Sequence, residues 1–154
     1  MPDLIKRRMK SHMTTFNWTK EDNRCFGCGD NPWGLHLDFK QMEEGIEAEI
    51  TLNDHYQGFQ DVAHGGIVAT LLDEAGAWAV KLELGQVAPS YELNCRFREP
   101  VPLQEPLKVK GRIKKKRHSV VISEARVIDE SGVVLADAEV KSKVISEVGD
   151  MSGE

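Results

Sequence analysis

The chain has 154 residues, 40% of them hydrophobic and 29% charged, with a formal net charge of −5 at pH 7. That length suits one domain with a real core. The acidic balance excludes general nucleic-acid binding, no apolar run approaches a membrane span, and three cysteines suit reduced thiols in a cytoplasm better than a disulfide framework.

In chain order, residues 1–24 read as an N-terminal arm in which Leu4, Ile5 and Met9 share one face of a short helix. Its basic start has no apolar core behind it, which sets a secretory signal aside. Residues 25–146 read as a single domain. It opens on Cys25-Phe-Gly-Cys28-Gly-Asp-Asn-Pro-Trp-Gly34, an ordered loop dense in turn formers. Leu35, Leu37 and Phe39 alternate with His36, Asp38 and Lys40, the pattern of a half-buried strand. Ile46, Ala48 and Ile50 alternate with Glu47, Glu49 and Thr51 in a second strand, after a turn at Glu44-Gly45. Residues 53–63 form a loop into a long helix that begins at His64-Gly65-Gly66 and ends near Gly85.

This helix is apolar almost all round, which predicts burial. An acidic pair, Asp73 and Glu74, sits near its middle, and a buried carboxylate is costly unless something pairs with it. Free N–H groups and the positive end of the macrodipole favour negative charge at the helix start. One element therefore offers an oxyanion site and a base or nucleophile.

Strands follow: Ser90 to Glu99 up to the stop Pro100-Val-Pro102; a strand with Leu107, Val109, Gly111 and Ile113 on one face and Lys108, Lys110, Arg112 and Lys114 on the other; Val120 to Asp129; a hairpin turn at Glu130-Ser131-Gly132; and Val133 to Ile145. Residues 147–154 read as a disordered polar tail. Two strands, one helix and four strands predict an α+β fold, a mostly antiparallel sheet curled around a central helix. One sheet face does not cover a helix apolar on every side, so a homo-oligomer is expected, most simply a two-fold dimer.

Several pieces in this order carry a resemblance: Cys25-Phe-Gly-Cys28-Gly with Asn31-Pro32-Trp-Gly34-Leu, Tyr56-Gln57-Gly58 before His64-Gly65-Gly66, Leu72-Asp73-Glu74-Ala75, and Ser90-Tyr-Glu-Leu-Asn-Cys-Arg-Phe-Arg-Glu-Pro100. Over residues 25–145 the chain resembles the hotdog-fold acyl-CoA thioesterases of the phenylacetate-degradation (PaaI-like) group. The resemblance implies hydrolysis of acyl-CoA, with no cofactor beyond the coenzyme A of the substrate. It implies that the Gly65 N–H polarises the thioester carbonyl, that Asp73 is nucleophile or general base, and that Ser90 assists. Some relatives place an asparagine six residues before the histidine; Gly58 stands there, leaving Gln57 or Gln60 to position water.

Other residues are weighed on their chemistry. His64 shapes the glycine turn by hydrogen bonding rather than transferring protons, and Gly66 borders the substrate. Glu74 makes an ion pair or faces solvent. His36, His55 and His118 take surface roles. Tyr56, Phe59 and Trp78 are the aromatic residues that would line an acyl pocket. Lys114-Lys-Lys116-Arg117, with Arg96 and Arg98, offers charge for the phosphates of coenzyme A. Cys25-x-x-Cys28 with His36 as a third ligand lacks a fourth zinc donor, so no metal is expected. Gly65 and Asp73 lie eight residues apart, about 12 Å along a helix axis, too far to meet at one carbonyl. A composite site is expected, with Gly65 from one chain and Asp73 from the other, in a dimer or a dimer of dimers. The competing reading is a non-catalytic acyl-CoA-binding hotdog module; a hotdog dehydratase lacks its histidine loop here.

Overall fold

The computed structural model describes residues 23–147; the expected arm before residue 23 and the tail after 147 lie outside the described residues. Eight strands and one long helix follow in the order β1 (Lys40–Gln41), β2 (Ile46–Thr51), α1 (Gly65–Leu84), β3 (Gln86–Val87), β4 (Ser90–Phe97), β5 (Pro106–Arg117), β6 (Val120–Ile128), β7 (Val134–Lys143) and β8 (Ser146–Glu147). Six of them form one sheet in the order β1-β2-β5-β6-β7-β4. Every pairing in it is antiparallel, as the α+β expectation has it.

Alternation in sequence becomes sidedness in the sheet. Val109 and Gly111 of β5, Val121, Ser123, Ala125 and Val127 of β6, and Ala138 and Val140 of β7 are buried beneath α1. Helix positions Val68, Leu71, Leu72, Ala75, Gly76, Ala79 and Val80 supply the opposing face. Two glycines set the depth of that contact. A Cβ at Gly111 would lie 2.5 Å from the Ala75 carbonyl oxygen, and one at Gly76 would lie 2.8 Å from Val140 Cβ. The helix ends where expected, at Gly85 in the left-handed conformation (φ 62°), whose N–H bonds to the Lys81 carbonyl.

Two local expectations are corrected, and one strand departs from regularity beyond the stretch the sequence assigned. Leu35, Leu37 and Phe39 are buried while His36, Asp38 and Lys40 are exposed, yet the segment is not a strand before Lys40. Its amides instead bond the cysteine loop, Leu35 N–H to the Phe26 carbonyl (2.7 Å) and Leu37 N–H to the Gly27 carbonyl (2.9 Å). The polar end of the domain adds a two-stranded β3–β8 ladder, so Glu147 belongs to a strand rather than to a tail. The alternation of β5 breaks at a bulge between Ile113 and Lys115; Lys114 faces away from α1 as expected, but Lys116 then comes to lie opposite Val121.

Candidate active site at the entry and middle of the central helix

His64 caps α1. Its Nδ1 accepts the Gly66 N–H at 2.9 Å, and its carbonyl accepts the N–H groups of Ile67 (2.9 Å) and Val68 (3.1 Å). The ring therefore shapes the glycine turn, as its position in the sequence predicts, and takes up the Gly66 donor. The Gly65 N–H has no hydrogen-bond acceptor among the described residues, and Gly65 is exposed. One open donor thus remains at the positive end of a 20-residue helix.

Asp73 lies two turns further along. It is half-buried, and its Oδ1 is fully buried with no hydrogen-bond partner among the described residues. A buried carboxylate oxygen left unpaired costs stability, and such groups gather where function requires them. Cys95, on the helix-facing side of β4, is its neighbour: burial pushes the Cys95 thiol up, and the Asp73 carboxylate adds to the shift. Phe97, on the same side of β4, covers the helix entry; its ring carbons lie 3.8 Å from where a Cβ on Gly65 would stand. The sequence alone does not single out Cys95 or Phe97 for this place. Their shared parity on the strand is the signal that could have grouped them.

Strand β4 runs back along α1. Phe97 marks the end at Gly65, and Ser90 opens the other end, seven residues away or roughly 23 Å along the strand. Gly65 and Ser90 are therefore held apart within one chain, as are Gly65 and Asp73. Gly58 packs on the helix entry so closely that a Cβ there would approach His64 Cα at 2.9 Å, leaving no room for the asparagine of some relatives. The Gln57 side chain is engaged locally, accepting the Asp61 N–H at 3.2 Å, and Gln60 is exposed in the same loop.

The other expected side chains are not drawn to the helix entry of their own chain. Arg98 pairs with Asp137, and Lys114 pairs with Glu124 and, at 3.0 Å, with Glu139, on the sheet face turned away from α1. Arg96 lies on that face opposite Asp137. Lys116 donates to Gln86 at 2.8 Å. The basic run adjoins the C-terminal part of α1, where the Ile113 N–H bonds the Glu83 carboxylate at 3.0 Å; Lys115 and Arg117 have no acidic partner among the described residues. The aromatic residues named for an acyl pocket are dispersed. Trp78 stacks on Phe39, the Tyr56 hydroxyl donates to the Gly34 carbonyl at 2.6 Å, and Phe59 is 87% exposed.

Glu74 does not face solvent and makes no ion pair among the described residues. It turns toward the cysteine loop, with Oε1 3.6 Å from Cys25 Sγ. Burial, more than any neighbouring charge, raises its carboxyl to about 7. The histidines keep surface places: His36 Nδ1 meets the Gly29 carbonyl (2.9 Å), not the cysteines, His55 Nδ1 meets Asn53 Oδ1 (2.9 Å), and His118 is exposed.

Residues 60–136 match the family model of the thioesterase superfamily. The structure is similar to that of a Bacillus halodurans protein solved with CoA, at 26% identity over 64% of this chain and 70% of that one, with a TM-score of 0.59. It is also similar to a Streptococcus mutans protein bound to acetyl-CoA (20% identity, 72% and 90% coverage, TM-score 0.66). A third likeness is to zebrafish thioesterase superfamily member 2 (16% identity, 90% and 94% coverage, TM-score 0.68). At these identities the last two likenesses bear on the fold alone. No curated protein sequence matches the chain.

Proposed function

The chain belongs to the thioesterase superfamily and has its hotdog fold, and from that premise we propose that it hydrolyses acyl-CoA thioesters at a site shared by two subunits. The observation that carries the reading is the pair of open groups on α1: the free Gly65 N–H at the helix entry and the unpaired buried Asp73 Oδ1 at its middle.

The chemistry assigns each a task. As oxygen adds to the thioester carbonyl carbon, negative charge gathers on the carbonyl oxygen. A fixed N–H at a helix start stabilises that charge without reorganising. Asp73 either takes the proton of the attacking water or attacks itself to form an anhydride that water then opens. The carbon–sulfur bond breaks in either route; water supplies the oxygen of the free acid, directly or on opening the anhydride, and the proton that ends on the coenzyme A sulfur. Ser90 assists from the start of β4.

Two antiparallel helices related by a two-fold axis bring the entry of one beside the middle of the other. The edge strand supports that assembly: β4 has a neighbour on one side only, and Tyr91, Leu93 and Phe97 on it are exposed hydrophobic residues. The proposal covers a cytoplasmic homodimer, or a dimer of dimers, of PaaI-like type. Its phosphate-facing charge comes from the basic run, foremost Lys115 and Arg117, and it uses no cofactor beyond the coenzyme A of the substrate.

The test is release of free thiol from a panel of short, medium and aryl acyl-CoAs. Turnover of at least one, abolished by Asp73→Asn, is expected. Tight binding of acyl-CoA without any thiol release would replace hydrolysis with a non-catalytic binding role.

A further inference from the structure

The loop at the start of the domain brings together a set of side chains that hydrolysis does not use. Cys25 and Cys28 come from the loop, and Glu74 comes from the third turn of α1. One donor atom from each lies within 4.8 Å of the other two. We propose that Cys25, Cys28 and Glu74 form a binding site for one zinc ion that fastens the cysteine loop to α1 beside Asp73.

The spacings suit that ion. Zinc takes thiolate sulfur at about 2.3 Å and carboxylate oxygen at about 2.0 Å in tetrahedral array, which puts sulfur and oxygen about 3.5 Å apart. Cys25 Sγ and Glu74 Oε1 are 3.6 Å apart. Sulfur is a soft donor that selects zinc over magnesium or calcium. Three protein ligands leave the fourth position to water.

The surroundings are arranged for thiolates. The Gly27 N–H points at Cys25 Sγ at 3.3 Å, and the Asn23 side-chain amide donates to Cys28 Sγ at 3.7 Å. A dication lets both sulfurs ionise. Gly27 is what lets the loop close on the helix. A Cβ there would fall 2.3 Å from Glu74 Cδ and 2.6 Å from Oε1. The expectation of no metal rested on the lack of a fourth donor beside Cys25, Cys28 and His36; the structure places His36 elsewhere and brings Glu74, remote in sequence, to the cysteines.

The experiment uses the full chain, reduced and stripped of metal. Zinc is titrated against a chromophoric indicator, and cobalt(II) is used as a spectroscopic stand-in. One zinc per chain and a thiolate-to-cobalt charge-transfer band are expected. Cys28→Ser should abolish both. Glu74→Gln should keep the band but weaken zinc by at least about tenfold, the lower end of what loss of a supporting group costs. Absence of stoichiometric binding, a cobalt spectrum without thiolate bands, or affinity unchanged in Glu74→Gln would each overturn the site. Should Cys28→Ser fail to fold, the wild-type spectrum and Glu74→Gln decide the matter. None of these readouts depends on hydrolysis, so the zinc site and the Asp73 reading fail separately.

Discussion

Gly65→Pro should silence the enzyme while leaving its fold intact. Gly65 is the first residue of α1, and His64 caps it with ψ 136°. Proline is favoured at that first position because its N–H makes no helical bond. The residue before a proline is held to ψ of about 120–160°, which His64 already satisfies. A compatible proline stabilises by about 0.4–1 kcal/mol by restricting the unfolded chain. What the substitution takes away is the one open N–H at the helix entry. Loss of a single oxyanion donor costs about 10²–10³ in kcat, or about 2.7–4 kcal/mol of barrier. Gly65→Ala is the control: it keeps the N–H, and its methyl meets only the Phe97 ring at 3.8 Å. Thiol release from the best acyl-CoA, followed beside thermal unfolding, gives both quantities. A Gly65→Pro protein that unfolds like wild type and loses no more activity than Gly65→Ala would refute the assignment.

Three further outcomes follow from the same structure. Asp73→Asn should lower the rate by at least about 100-fold with unchanged circular dichroism, and near wild-type turnover would remove Asp73 from the chemistry. Mixing equal amounts of dissociated and reassociated Asp73→Asn and Gly65→Pro chains should recover about a quarter of wild-type activity, since half the dimers are mixed and each carries one working site of two; no recovery in verified mixed dimers would place both groups in one chain. Gly76→Ala drives a methyl to 2.8–2.9 Å from Val140 Cβ, Cγ1 and Cγ2, and should cost about 1–3 kcal/mol, read as a fall of about 2–4 °C in Tm for each kcal/mol. Unchanged Tm would mean that the helix can lift off β7 freely.

Periodicity and turn residues made the long helix, its Gly85 end, the faces of β2 and β5 and the spans of β6 and β7 legible. Periodicity misread Leu35 to Phe39, because a buried–exposed alternation records which side is covered, not what the amides bond to; here they bond Phe26 and Gly27. The bulge after Ile113 and the two-residue β3–β8 ladder leave no periodic trace. In the candidate site, the grouping of His64, Gly65 and Asp73 was legible because one helix and its cap carry all three. Phe97 over Gly65 and Glu74 against Cys25 depend on chain topology, which joins residues 32 and 49 positions apart. The basic run was legible as charge. The pairing of Lys114 with Glu124 and Glu139 was not, because the partners lie on β6 and β7.

Gly76 and Gly111 lie in the seam between helix and sheet, and a side chain at either would displace the element that carries Gly65 and Asp73. The seam between helix and sheet thus acts as the gauge of the candidate site: its two missing methyls fix how deep Gly65 and Asp73 ride, and through them the gap that a partner subunit would span in the proposed dimer. A mutational scan selected on turnover alone would mark these positions as intolerant as the proposed catalytic ones. Only a parallel scan for folded protein would separate the gauge from the tool it sets.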